Sequence, residues 1–216
     1  MSVMDARLVA WARAVKSRRA KAGLPERPVL WLFTDEARLP DPRRAVAALP
    51  KRLCGVVLRH DGDPRRAELG RDLAAICRRR GLILVVADDP RLAARLHAGL
   101  HLRAARAPLI PPGVRPLTSS AHGLADLRRA RRARVSLAFL SPAFPTLSHP
   151  GQSALGIARW SGMARRTHVP VAALGGVTGA TATALPKLIC AGAGAIGALR
   201  AIPRNAHAGR QNRRDA

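Results

Sequence analysis

Cysteine, tyrosine, lysine and acidic residues are all scarce in this chain, and each shortage removes a class of protein. Only three of 216 residues are cysteine. Cys54, Cys77 and Cys190 stand far apart, with no CxxC pair and no zinc-ligand spacing, so neither a disulfide scaffold nor a zinc module is expected. Free thiols suit a reducing compartment. Aromatic residues make up 3%, with no tyrosine, which is too few for the stacking platforms of single-strand nucleic-acid binders. No uncharged apolar run approaches the ~20 residues that span a bilayer. The N-terminus lacks the unbroken apolar core of a secretory signal, so no membrane association is expected, and the expected location is the cytoplasm.

Acids are outnumbered: 13 Asp and Glu face 38 Lys and Arg, for a net charge of +25. Four of those cations are lysines, Lys16, Lys21, Lys51 and Lys187. Excess arginine and alanine with little lysine is what GC-rich coding tends to produce. That accounts for the Arg-to-Lys ratio but not for the shortage of acids. The charge therefore points to anionic ligands in general; without a recognition motif or aromatic platforms, nucleic acid is not the partner expected.

What is present is a rhythm. The hydrophobic fraction is 48% and charged residues are 24%, the balance of a folded globular domain. Residues 1–28 read as a basic N-terminal extension with a short amphipathic helix over 6–22, broken by Gly23, Pro25 and Pro28. From residue 29 onward, short apolar runs predict buried strands over 29–33, 53–58, 82–86, 99–102, 115–118, 135–140, 170–174 and 195–199. Arg/Ala/Leu-rich stretches between them have helical spacing over 43–49, 65–80, 91–97, 124–132, 153–166 and 178–191. The fourth crossover is the weakest, because residues 103–113 hold three prolines. The tail, 203–216, is polar and basic. Strands separated by helices imply parallel pairing, and non-alternating apolar strands imply burial on both faces. Eight such units leave a closed (β/α)8 TIM barrel or an open doubly wound sheet. The latter calls for a glycine-rich loop after its first strand, whereas strand one here runs into Thr34, Asp35 and Glu36. A barrel over 29–202 is the expected fold.

In such barrels chemistry gathers at the C-terminal ends of the strands, and a phosphate commonly sits after strands seven and eight. Those positions hold Asp88, Ser120, His122, Thr146, Gly175-Gly176 and Leu199-Arg200. Paired glycines let backbone N–H groups approach an anion, although they also make a tight turn. Asp88-Asp89-Pro90 doubles as a helix N-cap, and the Asp61 and Asp63 of HDGDP read more simply as an acidic turn than as a metal pair. Trp11, Trp31 and Trp160 read as packing residues.

Eight segments, in order, resemble the thiamine phosphate synthase/TenI family over roughly residues 29 to 202. They are LWLFTD (30–35), VVLRHD (56–61), VVADDPRLA (85–93), AGLHLRA (98–104), SSAHGLADL (119–127), LSPAFPTLSHP (140–150), VAALGGV (171–177) and AGAGAIGALRAI (191–202). The resemblance implies a TIM barrel that couples a pyrimidine pyrophosphate to a thiazole phosphate, with Mg²⁺ as cofactor, or, in the TenI branch, a thiazole tautomerase that needs no cofactor. The departures favour the second branch. Synthases of this family carry Gln-x-Arg-x-Lys after strand two, where this chain has Val57, Arg59 and Asp61. Their Asn-Asp is Ala87-Asp88, which leaves Asp88 as the candidate metal ligand. Their HLGQ-x-D is His101, Leu102, Arg103, Ala104, Ala105 and Arg106, so the second metal carboxylate has become a cation. A lysine and a serine elsewhere have become His149 and Arg200. Pyrophosphate departure leans on a metal that bridges its oxygens, and an arginine in the ligand set repels that metal.

The sequence thus leads to a barrel binding a phosphorylated thiazole or thiamine precursor through Arg59, Thr146, Gly175, Gly176, Leu199 and Arg200. His122 is placed as proton carrier, histidine being the residue type that can take a proton and return it elsewhere, with Ser120 beside it. The first reading is TenI-like tautomerisation. The alternatives are thiamine phosphate synthesis and a non-catalytic barrel that binds a phosphate ligand or polyanion.

Overall fold

In the computed structural model, which describes residues 4–103, 109–146 and 153–199, eight short parallel strands close on themselves in sequential order. They are β1 (Leu30–Phe33), β2 (Cys54–Leu58), β3 (Ile83–Ala87), β4 (Gly99–Leu102), β5 (Leu117–Ala121), β6 (Leu137–Leu140), β7 (Val171–Ala173) and β8 (Cys190–Ala195). The ring closes where Leu30 pairs with Cys54 on one side and with Ala193 on the other. The expected (β/α)8 TIM barrel is the fold. Among the described residues, no helix is long and apolar enough to cross a membrane.

Alternate residues of each strand face two different cores. Trp31, Phe33, Val57, Val85, Leu137, Phe139 and Ala172 fill the barrel interior. Leu30, Leu32, Val56, Leu58, Val86 and Leu100 point outward and pack under the helices. This double burial explains why the strands read as continuous apolar runs. The outer helices are α1 (Ala6–Lys21), α2 (Arg43–Ala48), α3 (Arg66–Arg80), α4 (Pro90–Arg95), α5 (Leu124–Arg132), α6 (Gly156–Arg165) and α7 (Gly179–Ala182). All three tryptophans are buried, as expected for packing residues.

Three expectations need correction. The last strand is 190–195, not 195–199. Its sequence, CAGAGA, holds two glycines, and a Cβ on Gly194 would come 2.7 Å from Phe33 Cε2. Small residues are required there because bulky ones from β1 already fill the barrel. The helix expected over 178–191 is the single turn α7, after which Pro186 and the strand end helical geometry. Strand five is 117–121, not 115–118. It begins after Pro116, which has no N–H to give a ladder.

The N-terminal segment supplies an outer helix. Leu8, Trp11, Ala12 and Val15 of α1, at helical spacing, are buried, and the helix lies against α7 and β8. Asp5 caps α1 by accepting from the N–H groups of Arg7 and Leu8. Its other oxygen accepts from the Gly179 N–H at 2.6 Å, so one carboxylate satisfies two helix N-termini.

Candidate active site at the barrel mouth

Parallel closure sends every strand's C-terminal end to one rim, so the loops after β3, β5 and β7 bring Asp88, His122 and Gly175 to the same mouth. A cavity of about 770 Å³ opens there among the ends of β1, β2, β6, β7 and β8, with Arg59, Ser141, Thr146, Gly175 and Gly176 in its wall. Gly175 and Gly176 have φ of +87° and +64°, a region that side chains avoid. Any Cβ on Gly176 would also strike Phe144 and Pro145. The tight-turn role of this pair is thus real, and it coexists with the pair's place in the cavity wall. Thr178 and Thr181 form a reciprocal cap on α7, and the Thr181 hydroxyl donates to the Gly176 carbonyl at 2.9 Å, which holds the glycine loop in shape.

From the end of β8 the wall is Gly194 to Ala198, which includes the start of a 3-10 turn, Gly197–Leu199. Leu199 itself is fully buried, so its side chain packs in the core and the loop's lining atoms come from its neighbours. Arg200 lies outside the described residues, as do Arg106, His149 and the tail 203–216.

Arg59 enters from β2. Its N–H donates to the Thr34 hydroxyl at 2.9 Å, and that hydroxyl also meets His60 Nδ1 at 2.9 Å, which fixes the strand end. The Arg59 Nε is buried without a hydrogen-bond partner. Burial, with Arg103 nearby, lowers the guanidinium's pKa. A half-buried cation with an unmet donor is stabilised by an anion in the cavity.

Ser120 and His122 follow each other at the end of β5, and both line a second space of about 500 Å³ beside Arg103. His122 is exposed. Its N–H donates to Asp126 at 2.7 Å, the helix-start role. Its ring Nδ1 lies 3.2 Å from the Ser141 carbonyl and 3.3 Å from the Ser141 hydroxyl. A carbonyl only accepts, so a neutral ring that bonds to it does so through Nδ1–H and keeps the Nε2 lone pair, whereas the Ser141 hydroxyl can meet either tautomer. Ser141 also lines the larger cavity, and so links the two halves of the mouth.

One group at this site escaped sequence reasoning. His101, on β4, is wholly buried. Its Nδ1 lies 2.9 Å from Thr118 Oγ1 and its Nε2 2.9 Å from Ser120 Oγ. The rings of Phe33 and Phe139 pack against it with centroids 5.5 and 5.7 Å away. Burial pushes its pKa down to about 3. The signal was there: His101 pairs with Thr118 across β4 and β5, and Ser120 is the next residue on that face.

The carboxylate of Asp88 is engaged on both oxygens, accepting from the Arg103 N–H at 3.0 Å and from its Nε at 2.8 Å. Arg103 Nη1 reaches Asp61 at 2.6 Å, and Asp61 also pairs with Arg66 at 3.1 Å. The neighbouring Asp89 caps α4 through the Leu92 N–H, and Asp63 accepts from the Arg65 N–H, the turn roles expected of both. Among the described residues, no group of three or more His, Cys, Asp or Glu is placed to hold a metal. Magnesium takes octahedral oxygen ligands; two carboxylates already occupied by guanidinium groups do not fit it.

Fold and rim together define a (β/α)8 barrel protein whose polar side chains converge at one mouth. The family described as "Thiamine monophosphate synthase" (TMP-TENI) matches residues 30–202, and the chain belongs to that family. A thiamine-phosphate synthase of Thiobacillus denitrificans is 33% identical over 178 residues, 76% of this chain and 82% of that protein. One from Parasynechococcus marenigrum is 35% identical over 144 residues, 63% of this chain. A bifunctional thiamine biosynthesis protein of Geobacter sulfurreducens is 31% identical over 145 residues. The chain spans 41% and 29% of the lengths of these last two. Among solved structures, the thiamine phosphate pyrophosphorylase of Pyrococcus furiosus superposes with a TM-score of 0.63 at 20% identity, over 78% of this chain and 85% of that one. FabK from Thermotoga maritima reaches 0.59 at 13%, over 84% and 64%. At such identities these two speak for the fold alone.

Proposed function

We propose that this chain is an enzyme acting on a phosphorylated thiazole, held with its phosphate on the Gly175-Gly176 loop and the turn after β8. The observation that carries this is the 770 Å³ cavity, which brings the Gly175-Gly176 loop together with Arg59, whose Nε is buried without a hydrogen-bond partner, in a chain of this family.

Two reactions use that ligand. Condensation with a pyrimidine pyrophosphate to thiamine phosphate has the broader support, because the relatives at 33 and 35% identity are named for it. The proton shift of a thiazole tautomerase is favoured by one specific observation. Arg103 occupies Asp88 and Asp61, where condensation would call for a metal-bound pyrophosphate. In the proton shift, His122 Nε2 takes a proton from the thiazole while Nδ1–H stays on the Ser141 carbonyl. The resulting imidazolium returns the proton at another ring atom, so no net charge or mass is exchanged. Ser120 orients the ring, and Arg59 and Thr146 hold the anionic end.

One assay with two arms tests this. The purified chain is given a thiazole phosphate tautomer alone, and separately a thiazole phosphate with the pyrimidine pyrophosphate, each with Mg²⁺ or with EDTA. EDTA-sensitive thiamine phosphate formation assigns condensation. Metal-independent isomerisation assigns the proton shift. Binding without turnover in either arm removes the enzyme reading and leaves a phosphate-ligand-binding barrel.

A further inference from the structure

The hydrogen bonds inside the barrel mouth have a direction. Thr118 is fully buried, and its hydroxyl has one hydrogen-bond partner among the described residues, His101 Nδ1 at 2.9 Å. A hydroxyl carries one proton to give. If Nδ1 held the ring hydrogen, it would donate to Thr118, and the threonine proton would be left buried with nothing to accept it. If Nδ1 is bare, the threonine donates to it and no polar atom is stranded. The ring is neutral, because burial between Phe33 and Phe139 disfavours the imidazolium. Its single hydrogen then sits on Nε2 and is donated to Ser120 Oγ at 2.9 Å. Ser120 has no other hydrogen-bond partner among the described residues and lines the mouth.

We propose that His101 is a positioning residue that fixes Ser120 as a hydrogen-bond donor to the ligand, through the relay Thr118 O–H to His101 Nδ1, His101 Nε2–H to Ser120 Oγ, and Ser120 O–H to the ligand. Ser120 accordingly selects a ligand with an acceptor at that point, such as an unprotonated ring nitrogen or a carboxylate. It is not an activated nucleophile, since a His101 Nε2–H that donates to Ser120 Oγ cannot also take its proton. The placement of a ligand beside Ser120 rests on the proposed function; the direction of the relay does not.

Two measurements on the full chain separate these. Long-range ¹H–¹⁵N correlations on the ¹⁵N-labelled protein report the tautomer of His101. A neutral Nε2–H ring is expected, and an Nδ1–H ring or an imidazolium at neutral pH overturns the relay. Binding is then read with a thiazole phosphate and, in parallel, with inorganic phosphate. Ser120→Ala and His101→Phe should each weaken the thiazole phosphate roughly fivefold to tenfold, the scale of one lost hydrogen bond, with inorganic phosphate within about twofold of wild type. His101→Gln, whose amide can donate from the place of Nε2, should recover most of the loss. Wild-type affinity in His101→Phe, or no recovery in a folded His101→Gln, overturns the positioning role. If wild type binds inorganic phosphate but no thiazole phosphate, the ligand reading fails while the tautomer result stands on its own.

Discussion

At the residue scale the mouth divides into parts that can be removed separately. His122 touches neither the glycine loop nor Arg59, so His122→Ala should cost proton-shift turnover roughly 10²–10⁴-fold and leave inorganic phosphate affinity near wild type. Full turnover in that variant would remove His122 from the chemistry. Gly176→Asp should abolish phosphate affinity, since it adds both a like charge and a Cβ that strikes Phe144 and Pro145. Because φ there is +64°, circular dichroism must show the variant folded for the loss to count. His101 has a consequence for stability. Its pKa falls from 6.5 to about 3 on folding, so below 6.5 the unfolded chain takes up a proton that the folded chain refuses. Its contribution is complete above pH 6.5 and is lost as pH falls toward 3, with a slope of at most about 1.4 kcal/mol per pH unit. Urea titrations across that range should show a shallower fall for His101→Phe. An unchanged slope would mean that other groups carry it.

At the scale of elements, legibility followed side-chain volume. Strands rich in Val, Leu and Phe were placed to within two residues in β1 to β4, and α3 and α5 were read almost to their ends from helical spacing. Strand β8 was misplaced because glycine and alanine carry no apolar signal. Its residues are small because a Cβ on Gly194 would strike Phe33 of β1 and one on Gly192 would strike the Val29 backbone, a constraint set by residues about 160 positions away in sequence. The His101–Ser120 pair was hidden for the same reason: it exists only across the β4–β5 register. The candidate residues after β2, β5 and β7 were legible, because barrel topology alone puts strand ends at one mouth. Helix α1 shows the limit of reading a basic stretch by its charge, since the buried face decides its role. Removing Leu8 from that face should destabilise the fold by about 2–5 kcal/mol (Leu8→Ala). Asp5→Ala should cost about 0.5–2 kcal/mol or more, because two helix ends lose an acceptor. Thermal melts check both, and a Leu8→Ala protein as stable as wild type would mean that α1 is dispensable to the barrel.

On the scale of the whole molecule, a net charge of +25 surrounds a mouth for which a separate, short-range anion site is proposed. The two kinds of attraction respond differently to salt. The diffuse field acts through water and is screened beyond about 8–10 Å at physiological ionic strength. Polyanion binding that depends on it should weaken steeply, by orders of magnitude between about 50 and 200 mM salt where many phosphates are contacted. In the proposed site, backbone N–H groups at Gly175-Gly176 and a half-buried Arg59 would meet a ligand at hydrogen-bond distance, where screening is weak. Single-stranded RNA is therefore expected to bind at low salt, without sequence preference, and to be released by about 0.3 M KCl, while a thiazole phosphate stays bound with its affinity reduced only a few-fold. Arg59→Ala should reverse the pattern, lowering thiazole phosphate affinity with almost no effect on RNA, because one cation among 38 scarcely alters the field. Fluorescence anisotropy for the RNA and calorimetry for the small ligand, run over the same salt series, make the comparison. RNA that remains bound at high salt, or competes with the thiazole phosphate at equal stoichiometry, would place a nucleic acid in the mouth and make the charge part of a specific site.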